Sequence, residues 1–357
     1  MNLFEHLEKH QYGEVHVRRD AASGLMAIVA IHDTRLGPSL GGCRFIPYAH
    51  EELALIDALR LARGMSYKAA ITGLPLGGGK SVIMRPAKAF DRTALFTAFG
   101  RFVNGLGGRY ITAEDSGTSV EDMVVIRSQT KHVTGLPPKD GGGGDPSPFT
   151  ALGVRRGIEA CVRHVYGRDL AGIKVAIQGV GHVGYYLAKE LHALGAKLTI
   201  SDIDASRTNR VREELGATVV PNDQIFAQDV DVLAPCALGA VLDDATLPQI
   251  RAKIIAGAAN NQLAETRHGD ALHARGVVYA PDYAINAGGL VNVHAEHHGH
   301  ASGKGYDEKA SREKVLAIHD TILEIVERAK ATNVPSYRVA DLIVEERLAK
   351  IPATSSV

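Results

Sequence analysis

The sequence predicts an α/β fold in two domains closed by a C-terminal helix, and three observations carry that expectation. The 357 residues exceed what one hydrophobic core holds, since single cores rarely grow past about 250–300 residues. Short apolar runs of β character alternate with helical stretches along most of the chain. One stretch, Lys139-Asp140-Gly141-Gly142-Gly143-Gly144-Asp145-Pro146-Ser147-Pro148, breaks that alternation with four glycines and two prolines, and reads as an interdomain hinge. The expected division is 1–148, 149–330, and a closing helix and tail at 331–357.

Composition narrows the class before any motif does. Lys+Arg and Asp+Glu stand at 40 each, so the net charge of zero leaves no electrostatic footprint for nucleic acid or an anionic membrane. No apolar run reaches the roughly 18 residues a membrane helix requires, and Met1–His6 lacks the basic-then-apolar pattern of a secretory signal. Cys43, Cys161 and Cys236 are far apart and form no C-x-x-C, which fits reduced thiols in the cytoplasm.

In chain order, Glu14–Val17 and Met26–Ile31 read as strands bounded by polar and glycine residues. Leu36–Arg44 reads as a glycine-rich loop, in which Gly41 and Gly42 either bring backbone N–H groups to a ligand or make a simple turn. Glu51–Met65 reads as a helix with Leu55, Leu59 and Ala62 on one face, and Lys68 lies just past it. Gly77-Gly78-Gly79 then reads as a hinge ahead of a strand at Ser81–Met84, because glycine admits φ > 0 and close approach of the backbone. Lys80, between hinge and buried strand, is either a solvated loop lysine or a desolvated one. Desolvation lowers an ammonium pKa and makes Lys80 a candidate base. A phosphate loop is excluded, because G-x-x-x-x-G-K-[ST] needs glycine where the chain has Leu74. Asp91–Phe102 reads as a helix and Tyr110–Ala113 as a strand. Glu114 and Asp115 follow at the strand's C-terminal end, where ligands sit in α/β sheets; the alternative is a pair of solvated turn acids. Thr118-Ser119-Val120-Glu121-Asp122 has capping-box spacing ahead of the next helix.

Helix resumes from Thr150 to about His164. The second half carries its clearest signal at Ile173–Gln178, a buried strand that runs into Gly179-Val180-Gly181-His182-Val183-Gly184. Helix Tyr185–Leu194, strand Lys197–Ser201 and Asp202 follow in register, and together they predict a Rossmann dinucleotide-binding domain. The glycines allow the tight turn, the approach of a pyrophosphate to the helix N-terminus, and close helix–strand packing. An acid at 202 accepts from ribose hydroxyls and repels a 2′-phosphate, so NAD is favoured over NADP, with Arg207 nearby as the counter-signal. Strands at Val230–Ala234, Ile254–Ala256 and Val277–Tyr279 continue the pattern. The loops Ala258-Ala259-Asn260-Asn261-Gln262 and Asn286-Ala287-Gly288-Gly289 follow strands of this set and would lie near a nicotinamide, unless their asparagines serve as helix caps. His294, His297, His298 and His300 do not make H-E-x-x-H, and no third ligand is evident, so no metal is expected. A Gly/Ser/Lys loop at 299–305, a long helix Asp307–Ala331, a last helix Ser336–Lys350 and a disordered tail from Pro352 complete the reading.

Several of these stretches together resemble the glutamate/leucine/phenylalanine/valine dehydrogenases. They are Asp57–Lys68, Gly77–Lys80, Tyr110–Asp115, Gly257–Leu263 and Ala280–Gly289. The leucine dehydrogenase branch is the nearest, and the resemblance covers nearly the whole chain. It implies an N-terminal substrate-binding, catalytic and oligomerisation domain, a homo-oligomer, commonly an octamer, and reversible oxidative deamination of an L-amino acid to a 2-oxo acid and ammonium. By resemblance Lys68 pairs with the substrate carboxylate, Lys80 is the base that activates water, and Asp115 shuttles protons at the amine. Gly41 and Gly42 line the substrate site, Asn261 lies near the amine, and Thr150 and Asn260 near the nicotinamide end, with Asn286 beside them. The resemblance places Leu40, Ala113, Leu290 and Val293 around the substrate side chain. All four are aliphatic, which fits leucine, isoleucine or valine, and none anchors a side-chain carboxylate. An aromatic L-amino acid, phenylalanine or tryptophan, is the alternative, because one methylene discriminates by only about 1–3 kcal/mol. A dinucleotide-binding sensor without catalysis would need none of Lys68, Lys80 and Asp115.

Overall fold

The computed structural model describes residues 2–351, so the tail from Pro352 lies outside the described residues. The chain divides into two compact units. The first holds the chain up to Asp145, Val293–Glu308 and the end from Val344; the second holds Pro146–Asn292 and Lys309–Ile343. Residues 293–308 therefore cluster with the first unit, although the reading of the sequence assigned them to 149–330.

The first unit opens with α1 (Leu3–Lys9), β1 (Glu14–Asp20), β2 (Leu25–Asp33), β3 (Ser39–Ile46) and α2 (Glu51–Ile71). Then come β4 (Gly77–Met84), α3 (Arg92–Gly105), β5 (Tyr110–Glu114) and α4 (Val120–Arg127). Its five strands lie in the order β1-β2-β4-β3-β5. β3 runs parallel to β4 and β5, whereas β2 is antiparallel to both β1 and β4. Alternation along β2 supplies both faces of the sheet. Leu25, Ala27, Val29 and Ile31 join one core with Leu95, Phe96 and Phe99 of α3. Ile28 and Ala30 face the other way, onto Ala54, Ala58, Leu59 and Ala62 of α2. Ser119 and Asp122 form the expected capping box at the start of α4.

Three expectations change here. Ser39–Ile46 is a buried central strand and not a glycine-rich loop. β4 begins at Gly77, so the triple glycine lies within the strand in extended backbone and is no hinge. α2 runs on through Lys68, which lies in its last turn rather than past it. The common cause is close packing. A Cβ on Gly41 would lie 1.7 Å from Gly79 O, and one on Gly78 would lie 2.0 Å from Ser66 N of α2. Glycine is used at these positions because neighbouring backbones press against them, not because the chain turns.

The second unit takes α5 (Ser147–Tyr166), β6 (Lys174–Gln178), α6 (His182–Ala193), β7 (Lys197–Ser201), α7 (Ala205–Leu215) and β8 (Thr218–Val219). It continues with β9 (Val232–Pro235), β10 (Ile254–Ile255), α8 (Thr266–Ala274), β11 (Val278–Tyr279) and α9 (Asp282–Ile285). Its six strands are all parallel, in the order β11-β10-β9-β6-β7-β8. The order reverses direction at β6, which puts the turn after β6 at the sheet's switch point. α10 (Gly288–Ser302) begins where a loop was expected at 286–289 and runs well into the expected loop at 299–305. The expected single helix at 307–331 is two, α11 (Glu308–Leu316) and α12 (Ile318–Thr332), and α13 (Ser336–Ala349) follows. No helix among the described residues is long and apolar enough to cross a membrane.

Candidate functional site

In the first unit the chemistry gathers on the face of the sheet that α2 covers. The parallel register sets Leu40 beside Gly78, Gly42 beside Ala113, and Arg44 beside Val82. Alternate residues point the same way, so Leu40, Gly42 and Arg44 share a face with Gly78 and Lys80. The absence of a side chain at 78 lets the last turns of α2 settle against β4, and that turn carries Lys68. Arg347 fixes the same end of α2, donating to the carbonyls of Ala70 at 2.9 Å and Ile71 at 2.6 Å. Gly42 makes room for Asp115: a Cβ there would lie 2.8 Å from Asp115 Cβ.

Lys80 is 6% exposed and forms an ion pair with Asp115. Burial pushes the Lys80 ammonium down to about 7, and the Arg44 guanidinium, then the Lys68 ammonium, add to that effect. The Asp115 carboxylate, in contact with the ammonium, acts in the opposite direction. Asp115 is itself held in place: Ser116 N–H donates to its Oδ1 at 2.5 Å, and its own N–H donates to Thr118 Oγ1 at 2.8 Å. Of the aliphatic candidates, Leu40 and Ala113 are buried on this sheet. Leu290 and Val293 lie one turn apart on α10, Leu290 buried and Val293 half-buried.

In the second unit Gly179 has φ +88°, which ends β6 in a turn only glycine adopts freely. Gly181 is the N-cap of α6, with His182 and Val183 in its first turn. A Cβ on Gly184 would lie 2.0 Å from Gly179 O, so this glycine closes the helix onto the turn. Asp202, at the end of β7, accepts the Val180 N–H at 2.8 Å and the Asp204 N–H at 2.9 Å. Arg207 lies 3.9 Å from Asp202 and 3.4 Å from Asp204, so two acids already face its charge. Beyond β10, Asn286 Nδ2 donates to Asn260 Oδ1 at 2.8 Å and to Ala258 O at 3.0 Å, while its own Oδ1 is buried without a partner. Asn261 sits at φ +50°, with its N–H on the Asp282 carboxylate and its carbonyl accepting the Ala240 N–H. Thr150, in the first turn of α5, donates its hydroxyl to Pro146 O at 3.1 Å. Buried Gln262 ties the loop together from below, donating to Gly257 O and Ala259 O. A glycine-rich turn at a helix N-terminus, an acid at the second strand and an orphaned amide oxygen at the sheet edge fit a dinucleotide.

Reading the sequence missed three residues here, Arg44, Ile203 and Glu296. Arg44, with Asp57 and Tyr48 behind it, was hidden by reading β3 as a loop; as a strand, the two-residue period from Leu40 through Gly42 would have reached it. Ile203 is 94% exposed, an apolar surface directly beyond Asp202. Glu296 is fully buried and accepts the N–H groups of Leu136 at 3.1 Å and Gly143 at 2.9 Å, which explains the acid among the histidines. His294 and His298 stack with ring centroids 6.0 Å apart, and no described group of three His, Cys, Asp or Glu is placed to hold a metal.

The chain matches two family models, "Glu/Leu/Phe/Val dehydrogenase, dimerisation domain" over residues 9–132, and "Glutamate/Leucine/Phenylalanine/Valine dehydrogenase" over 141–210 and 199–352. It is 49% identical to a leucine dehydrogenase of Bacillus cereus, over 100% of this chain and 96% of that protein. It is 50% identical to a leucine dehydrogenase of Geobacillus stearothermophilus, over 98% of this chain and 94% of that one. The crystal structure of L-tryptophan dehydrogenase from Nostoc punctiforme superposes with a TM-score of 0.86 at 42% identity, covering 98% of this chain and 100% of that chain.

Proposed function

The chain belongs to the glutamate/leucine/phenylalanine/valine dehydrogenase family, and from that premise we propose that it is an NAD-dependent dehydrogenase of branched-chain L-amino acids, yielding the 2-oxo acid and ammonium reversibly. The observation that carries the mechanism is Lys80: a buried lysine with a pKa near neutrality, against a carboxylate, on the sheet face that α2 and Lys68 cover. A general base works best when its pKa lies near the working pH.

Lys68 takes the substrate carboxylate. The dinucleotide, when bound, supplies the hydride acceptor. Oxidation at Cα leaves an iminium carbon, and water must add to it. Neutral Lys80 removes a proton from that water as the C–O bond forms. Asp115 carries a proton to the amine nitrogen, so that the carbinolamine collapses with C–N cleavage to 2-oxo acid and ammonium. The residues that resemblance assigns to the substrate side chain, Leu40, Ala113, Leu290 and Val293, are all aliphatic and include no cation for a second carboxylate. Leucine is also the amino acid named for the Bacillus and Geobacillus relatives. Asp202 supports NAD over NADP, because a 2′-phosphate beside a carboxylate already engaged with Val180 would be repelled. Asn260, Asn261, Asn286 and Thr150 are assigned to the nicotinamide end. The three free cysteines fit a cytoplasmic protein, and the match to a dimerisation domain supports a homo-oligomer, which we place at eight subunits.

The test is initial-rate formation of reduced cofactor from L-leucine, L-valine, L-phenylalanine, L-tryptophan and L-glutamate, each with NAD and NADP. Leucine or valine with NAD is expected to be fastest, and Lys80→Ala is expected to abolish turnover while remaining folded. Fastest turnover of an aromatic substrate would overturn the side-chain assignment, and appreciable turnover by folded Lys80→Ala would overturn the role of the base.

A further inference from the structure

Arg44 is a charged side chain close to the reacting groups that the reaction above leaves without work. It projects from β3 on the Lys80 face. Its Nη1 donates to Asp57 Oδ2 at 2.8 Å, and Tyr48 Oη donates to the same oxygen at 2.6 Å. Its Nη2 lies 3.7 Å from Asp115 Oδ1. One prong of the guanidinium is therefore clamped on α2, and the other faces the carboxylate that contacts Lys80. A planar, permanently charged fork serves both directions at once, whereas an ammonium is a single point charge.

We propose that Arg44 is a positioning residue of the deamination: clamped by Asp57 and Tyr48, it orients Asp115 and holds a fixed positive charge beside Lys80, so that Lys80 stays in its neutral, proton-accepting form. The inference rests on Lys80 and Asp115 acting as set out above. Each element packed around Lys80 contributes to the balance. β3 presents Arg44 and the Cys43 thiol, α2 presents Lys68 and Asp57, and the end of β5 presents Asp115. β2 places Ala30 opposite Lys80, and its titratable residues are engaged elsewhere, His32 with Ser66 and Asp33 with Arg35. Arg44 and Lys68 disfavour a third cation between them, while Asp57 and Asp115 favour it. Among the influences that lower the Lys80 pKa, the Arg44 guanidinium follows burial and precedes Lys68.

The experiment uses full-length Arg44→Gln, Arg44→Lys and Asp57→Asn. Two quantities are measured from pH 6 to 11: kcat/KM for L-leucine with NAD, and the rate at which acetic anhydride labels Lys80, followed by mass spectrometry of its peptide. The wild type is expected to lose activity below about pH 7. Arg44→Gln is expected to move that limb and the Lys80 labelling curve upward by on the order of one pH unit, costing about tenfold in kcat/KM on the acid side. Arg44→Lys keeps the charge, so its limb stays near that of the wild type while kcat falls at the plateau. Asp57→Asn removes an anion near Lys80, so its limb stays or moves down. An unshifted Arg44→Gln, or Arg44→Gln and Asp57→Asn both shifting upward as general loosening would produce, overturns the proposal. If Arg44→Gln does not fold, an upward shift in Asp57→Asn overturns it. A wild type inert toward all five amino acids would sink the proposed function instead, and the labelling curves still test what Arg44 does to Lys80.

Discussion

Replacing Gly78 with alanine adds one methyl group where the structure has no room for it. The new Cβ would lie 2.0 Å from Ser66 N, 2.3 Å from Ser66 Oγ and 2.5 Å from Ala62 O. Two of those atoms are helix backbone and cannot rotate aside. Ordinary contact begins at 3.4 Å. The end of α2 must therefore retreat from β4 by about 1.4 Å, the gap between 2.0 and 3.4 Å, or β4 must buckle by as much. Overpacking of this kind costs about 1–3 kcal/mol. In a domain of this size each kcal/mol lowers the melting temperature by about 2–4 °C. The larger effect is on catalysis, because Lys68 lies two residues beyond Ser66 and Lys80 two beyond Gly78. Misplacing such groups by about 1 Å costs on the order of a hundredfold in rate. The expected variant is folded, melts a few degrees lower, and has kcat/KM for L-leucine down by about two orders of magnitude. Circular dichroism melting and steady-state kinetics measure both. Wild-type kcat/KM in Gly78→Ala would refute the claim that helix–strand contact at 78 sets the distance between the two lysines.

Asp202→Ala removes the acceptor of the Val180 N–H and the repulsion of a 2′-phosphate. The KM for NAD should rise by about tenfold or more and the preference for NAD over NADP should shrink; an unchanged ratio of kcat/KM with the two cofactors would reject the assignment. Glu296→Ala leaves the N–H groups of Leu136 and Gly143 without their acceptor, at a cost of about 1–3 kcal/mol. Urea unfolding should show that loss, and limited proteolysis should cut faster between 136 and 143; an unaltered midpoint and cleavage rate would show that Glu296 does not pin the segment.

The nucleotide motif was legible in its order and nearly in its bounds, whereas the helices after it were not. β7 occupies the expected Lys197–Ser201, and the glycine turn, α6 and Asp202 follow in the expected order. The substrate half was legible as a set of residue types but not as a shape. Lys80 was marked as a candidate base because of its neighbours in the chain, yet those glycines were read as a hinge. β3 was read as a loop for the same reason, and Arg44 was lost with it. In both places glycine was interpreted as freedom to turn or to let the backbone approach a ligand. The property in use was its lack of a side chain, which shows only when the atoms opposite are known.

That contrast marks the boundary between the two kinds of information. Strand, turn, helix, strand and acid of the nucleotide motif are consecutive, and each piece constrains the next through covalent connection and short-range hydrogen bonds, so residue order was enough to predict them. The state of Lys80 has no such local cause. Its low pKa depends on α2 resting against Gly78 and bringing Lys68, and on β3 bringing Arg44 alongside, with the Asp115 carboxylate acting against both, residues scattered from 44 to 115. Loss of water and Coulomb interaction act through space, so the folded arrangement of β3, β4, β5 and α2 is what lowers the pKa of an otherwise ordinary lysine.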